Sequence, residues 1–109
     1  MPQVVTGTLS AFNGVKFLCT FTIKDADGTE YEHTYSGVWE PSVPDFTVPK
    51  LQLEYNNRDQ LNAAHEISGH VGKDDVVLTI KNGPKLTGSL LHEVDVEIAV
   101  KGNGAWDKN

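Results

Sequence analysis

Thr6-Gly7-Thr8-Leu9, Ser36-Gly37-Val38-Trp39, Ser68-Gly69-His70-Val71 and Thr87-Gly88-Ser89-Leu90 repeat one pattern along the chain: a hydroxyl residue, glycine, any residue, then a large apolar one. On an extended strand alternate residues share a face, so the glycine and the apolar residue point one way and the hydroxyl the other. An inward glycine leaves space for a large side chain on the neighbouring strand and lets its own strand bend. The motif therefore belongs to strands that curve strongly around a core.

Outward from the motif, the dominant period is two. Val5, Gly7, Leu9 and Ala11 share a face, and Thr6, Thr8 and Ser10 take the other. Asn13-Gly14 follows, a hairpin signal because both central residues of a type I′ turn need positive φ. The second strand sets Val15, Phe17, Cys19, Phe21 and Ile23 inward, and Asp25-Ala26-Asp27-Gly28 turns the chain. The third, Thr29 to Trp39, sets Tyr31, His33, Tyr35, Gly37 and Trp39 inward. Pro41 and Pro44 then mark a surface loop. In the fourth strand Phe46 and Val48 keep one phase and Leu51, Leu53 and Tyr55 the other. The change at Pro49-Lys50 predicts a bulge or an edge.

Asn56 to Asn62 is polar and reads as a loop with one helical turn. The fifth strand places His65, Ile67, Gly69 and Val71 together, the sixth Val76, Leu78 and Ile80, and the seventh Leu86, Gly88 and Leu90. For the eighth, Val94, Val96, Ile98 and Val100 alternate with Asp95, Glu97 and Ala99. The tail Gly102-Asn103-Gly104-Ala105-Trp106 then reads as loose, with Trp106 folding back onto one end of the core. The expectation is an all-β single domain, residues 1–109, of about eight antiparallel strands in a small closed or nearly closed barrel. A flatter two-sheet sandwich is the alternative. Each motif strand is expected to open a hairpin.

The chain has 109 residues, enough for one core. Its formal net charge of −6 argues against a nucleic acid or an anionic membrane as partner, since both recruit clustered Lys and Arg. No apolar run reaches the ~20 residues that span a bilayer. The single cysteine, Cys19, permits no internal disulfide and reads as a buried thiol. That, and an N-terminus without a basic region and apolar block, slightly favours the cytoplasm.

Catalytic and metal motifs fail on geometry. His65 and His70 are five apart on a strand, so they face opposite sides and cannot share a metal as the four-residue helical spacing does. Asp25-Ala26-Asp27-Gly28 lacks the glutamate that a calcium loop needs at its twelfth position, which is Ser36. Glu93, Asp95 and Glu97 read as a solvated stripe. No cofactor, metal or catalytic residue is assigned. Thr6-Gly7-Thr8 and the strand count resemble small ligand-holding barrels such as avidins and lipocalins. Those families' tryptophans have no counterpart at matching places here, and nothing is carried over.

Two residue sets remain as binding candidates. Tyr31, His33, Tyr35 and His65 face inward and either satisfy one another or line a cavity for a small molecule. Trp39, with the proline-aromatic loop after it, and the polar loop carrying Asn57 and Arg58 suit a protein or carbohydrate partner. The favoured expectation is a non-catalytic binding or interaction module using loops at one end of the barrel. A small-molecule container follows it, and an enzyme with a histidine base comes last. Leu18 and Val38 on polar faces make a homo-oligomer a further expectation.

Overall fold

A computed structural model describes residues 3–24 and 28–108, the side chain of Arg58 excepted. The turn Asp25-Ala26-Asp27 lies outside the described residues. The strands are β1 (Gln3–Phe12), β2 (Lys16–Lys24), β3 (Glu30–Glu40), β4 (Phe46–Tyr55), β5 (Ala64–Gly72), β6 (Asp75–Ile80), β7 (Lys85–Ser89) and β8 (Ile98–Lys108). All neighbours are antiparallel, and the sheet closes in the order β1-β2-β3-β8-β5-β6-β7-β4. The expected closed barrel is what forms, and the sandwich is not.

The closure order resolves into two Greek keys. β4-β1-β2-β3 is one four-strand unit and β8-β5-β6-β7 is the other, joined at the β3–β8 and β7–β4 ladders. The glycine motifs fall on β1 and β3 of the first unit and on the equivalent β5 and β7 of the second. Each glycine faces a large inward residue of its hairpin partner: Gly7 faces Phe21, Gly37 faces Phe17, Gly69 faces Leu78 and Gly88 faces Val76. A Cβ on Gly7 would run into the Phe21 ring and the Thr20 carbonyl. At Gly7 the motif makes room for a bulky cross-strand ring, whereas a Cβ on Gly37 or Gly69 would strike neighbouring backbone, at Asn103 O and Val77 O, and one on Gly88 would meet the Val48 side chain.

This topology corrects one expectation. β1 and β5 do open hairpins, but β3 and β7 close them and then cross the barrel end to β4 and β8. Asn13 and Gly14 adopt φ of 56° and 80°, the positive values that Asn-Gly predicts. The phase change in β4 is a bulge: Gly7 pairs with Leu51 but Leu9 with Val48, so Pro49 and Lys50 together oppose Thr8.

The eighth strand is a second correction. Residues 91–97 are not a strand. They lie across the barrel end, where Leu91 N–H donates to Thr47 O and Val94 N–H to Lys73 O, both at 2.8 Å. There Val94 packs on the rim of the core and the acidic residues face water, which satisfies the same alternation without a ladder. The strand instead keeps only Ile98 to Val100 of the expected segment and continues through the tail expected to be loose. β8 pairs with β3 and β5 along most of its length. Its glycines permit this: a Cβ on Gly102 would strike the Val38 carbonyl, and one on Gly104 would sit 2.6 Å from Tyr35 Cζ.

The interior is filled. Phe17 stacks on Trp39 at 4.7 Å between ring centres and lies 5.6 Å from Tyr35. Tyr35 lies 5.0 Å from Trp106, which reaches Phe21 at 6.2 Å. Leu9, Val48, Leu51, Leu53, Ile67, Leu78, Ile80 and Leu86 close the space around this aromatic column. Each such side chain contributes on the order of 1.5–3 kcal/mol through burial. Cys19 is buried among them, as its strand face predicts. No helix among the described residues is long and apolar enough to cross a membrane.

Candidate binding site at one end of the barrel

The end formed by the β4–β5 connection is built from polar residues that hold one another in place. Residues Arg58–Gln60 make a single 3-10 turn, the one helical turn that the sequence predicts in this loop. Asn57 Oδ1 accepts the N–H of Asp59 at 3.0 Å and starts the turn. Gln60 Oε1 accepts the N–H groups of Asn56 at 2.7 Å and Asn57 at 3.3 Å. Gln60 Nε2 donates to Asn82 O at 2.9 Å, and Asn82 Nδ2 donates back to Gln60 O at 3.0 Å. This reciprocal pair ties the loop to the β6–β7 turn.

The loop then seals the core and enters β5. Leu61 is buried. Ala63 adopts φ of 66°, a left-handed conformation unusual for a residue with a Cβ, and its carbonyl accepts the backbone N–H of Trp106 at 3.0 Å. His65 Nε2 donates to Asn62 O at 2.7 Å. Beneath, Tyr35 Oη donates to His65 O at 2.7 Å. Burial, and then the neighbouring Cys19, push the Tyr35 phenol well above its ordinary range, so it stays a donor.

Above these supports lies an open cleft of about 440 Å³. Its floor is His33, Leu61 and Trp106, all buried, and its rim is Asp59, Asn62, Asp107 and Lys108, all exposed. Lys108 Nζ sits 4.2 Å from the centre of the Tyr31 ring. The indole N–H of Trp106 is buried and bonds to nothing among the described residues. At the opposite end a cleft of about 370 Å³ runs between Phe46 and Leu91, with Asp45, His92 and Glu93 on its walls. Among the described residues no buried polar side chain lines that one.

Of the residues singled out in the sequence, the structure gathers Tyr31, His33, Tyr35, His65 and Asn57 at the first end. Arg58 begins the 3-10 turn there, and its side chain lies outside the described residues. Tyr35 and His65 do meet, but through the His65 carbonyl and not its ring. Trp39 stands apart. It is 2% exposed, stacks on Phe17 and Phe46, and sits at the far end of β3 from Tyr31 and His33. The proline-aromatic loop and the polar loop therefore occupy opposite ends and cannot form one surface.

Sequence reasoning placed Trp106 at one end of the core, where it lies, but did not extend β8 into the tail and so did not bring Trp106, Asp107 and Lys108 to the cleft. Trp106 in alternation with Gly104 and Gly102 was the available signal. No group of three or more His, Cys, Asp and Glu among the described residues could hold a metal ion. No family model matches the chain, and neither a curated protein nor a solved structure matches it.

Proposed function

We propose that the protein is a non-catalytic binding module whose ligand site is the cleft between the β4–β5 loop and the end of β8. One observation carries this: Trp106, whose buried indole N–H has no partner among the described residues, lines the floor of an open cleft whose rim loop is cross-braced by Gln60 and Asn82. A buried donor without a partner costs roughly 1–3 kcal/mol, and a ligand acceptor relieves that cost. A braced rim loses little entropy on binding, which favours affinity. The aromatic column through the barrel supports a site outside the core over an internal container.

The test is capture on the immobilised protein from an extract of its own source. Asp59→Ala with Asn62→Ala alters only exposed rim side chains, and Asp45→Ala alters the other end. The expected result is capture of a specific partner that the rim pair abolishes and Asp45→Ala leaves intact. Capture that ignores the rim pair and fails with Asp45→Ala would overturn the assignment.

A further inference from the structure

We infer that the cleft takes a neutral carbohydrate, an inference that rests on the cleft being the binding site. Three features select this ligand chemistry. The first is the balance of donors and acceptors. Asp59 and Asp107 present carboxylate acceptors, the Asn62 side chain both donates and accepts, and the Trp106 indole is a donor beneath them. A sugar hydroxyl also donates and accepts at once, so a polyol can answer all four groups. Reaching the indole requires the lining to move, because its nitrogen is shielded from solvent.

The second feature is the floor. Leu61 and Trp106 offer carbon surface to the C–H face of a pyranose ring. At about 440 Å³ the cleft falls low in the ~300–1,000 Å³ range of small-ligand sites, which suits a short saccharide unit. The third is charge. Among the described residues the rim carries two carboxylates against one ammonium, and that ammonium is engaged over Tyr31. The chain has a net charge of −6. Uronates, sulfated sugars and phosphates are therefore repelled.

A protein partner fits this end less well. Stable protein interfaces bury about 800 Å² on each side around apolar anchors. The exposed large apolar residues Phe12, Val15, Leu18, Val38 and Leu91 all lie towards the opposite end, and only Val4 among those described lies at this one, on β1 beside Glu54.

The experiment is calorimetric titration of the full chain with two probe sets. One holds neutral oligosaccharides of hexoses and N-acetylhexosamines, the other matched oligosaccharides bearing uronate or sulfate. The expected result is saturable binding of at least one neutral probe with a Kd of about 1 mM or tighter. Asn62→Ala and Asp59→Ala should each weaken it by about tenfold, with Asp45→Ala unchanged. No neutral probe binding at up to about 10 mM, or a preference for the anionic set, overturns the carbohydrate assignment. If the extract instead yields a protein whose capture depends on Asp59 and Asn62, the cleft stands as the site and the carbohydrate falls. If a neutral probe binds without sensitivity to either residue, the cleft itself is wrong.

Discussion

Gly104→Ala is the substitution whose cost follows most directly from the structure. A Cβ there would lie 2.6 Å from Tyr35 Cζ, 2.8 Å from Cε2 and 2.9 Å from Oη. Tyr35 has no room to yield. It is fully buried, packed between Phe17 and Trp106, and anchored by its hydroxyl on His65 O. Overpacking a core costs about 1–3 kcal/mol. Displacing the hydroxyl adds about 1 kcal/mol. The expected loss is therefore about 2–4 kcal/mol, and in a domain of this size Tm falls by roughly 4–8 °C per kcal/mol. Thermal and urea unfolding measure it. A double-mutant cycle isolates the clash: with Tyr35→Leu present, Gly104→Ala should cost at least about 1 kcal/mol less than it does alone. A Gly104→Ala protein within about 0.5 kcal/mol of the parent, or a cycle additive to that limit, would refute the idea that the glycine exists to admit the tyrosine ring.

Three further outcomes are expected. Burial holds the Cys19 thiol protonated well above its ordinary value of 9.0. The unfolded chain loses that proton above about pH 9 while the folded chain keeps it, so stability is level below pH 9 and then falls by about 1.4 kcal/mol per pH unit. Urea midpoints taken between about pH 8 and 10 should lose this slope in Cys19→Ala, and an unchanged slope contradicts the assignment. Gln60→Ala removes the acceptor of the Asn56 and Asn57 N–H groups and the tie to Asn82 O, so both amides should exchange with deuterium about tenfold faster. Equal exchange would mean the loop is held by something else. Ala63→Gly relieves a left-handed alanine at φ 66° and should raise stability by about 0.5 kcal/mol or more, read from the urea midpoint; a loss would show that the turn is not strained.

Much of the barrel was legible because its strands alternate cleanly and its turns use residues with one conformational meaning. Phe17, Cys19, Phe21 and Ile23 sit where period two puts them, and Asn13-Gly14 turns as its chemistry requires. What was not legible is long-range. Whether Trp39 ends a hairpin or a crossover depends on which strands neighbour β3, and no local pattern encodes that. The end of the chain misled for a physical reason. Val94 to Val100 alternates throughout, but only Ile98 onward is strand; the part from Val94 to Glu97 lies across the barrel end, which has the same half-wet, half-buried environment. Gly102 and Gly104 weaken strand propensity locally but let β8 approach Tyr35 and Trp39 closely, and packing overrides propensity. Of the residues singled out, Tyr31, His33 and His65 sit beside the cleft or brace it, and Trp39 is buried in the core at the other end. An aromatic residue before a proline-rich loop looks the same from sequence whether it caps the core or faces a partner.

The chain's two tryptophans stand at opposite ends of the barrel, Trp106 under the proposed site and Trp39 in the core at the far end. Their indole N–H resonances therefore report which end a ligand uses. The decisive measurement is a nitrogen–proton correlation spectrum of the isotopically labelled protein, recorded as a binding oligosaccharide or captured partner is added. The prediction is a saturable shift of the Trp106 indole signal, with the amides of residues 59–62 moving in step and the Trp39 signal still. A shift of Trp39 with Trp106 unmoved would place binding at the other end and contradict the account.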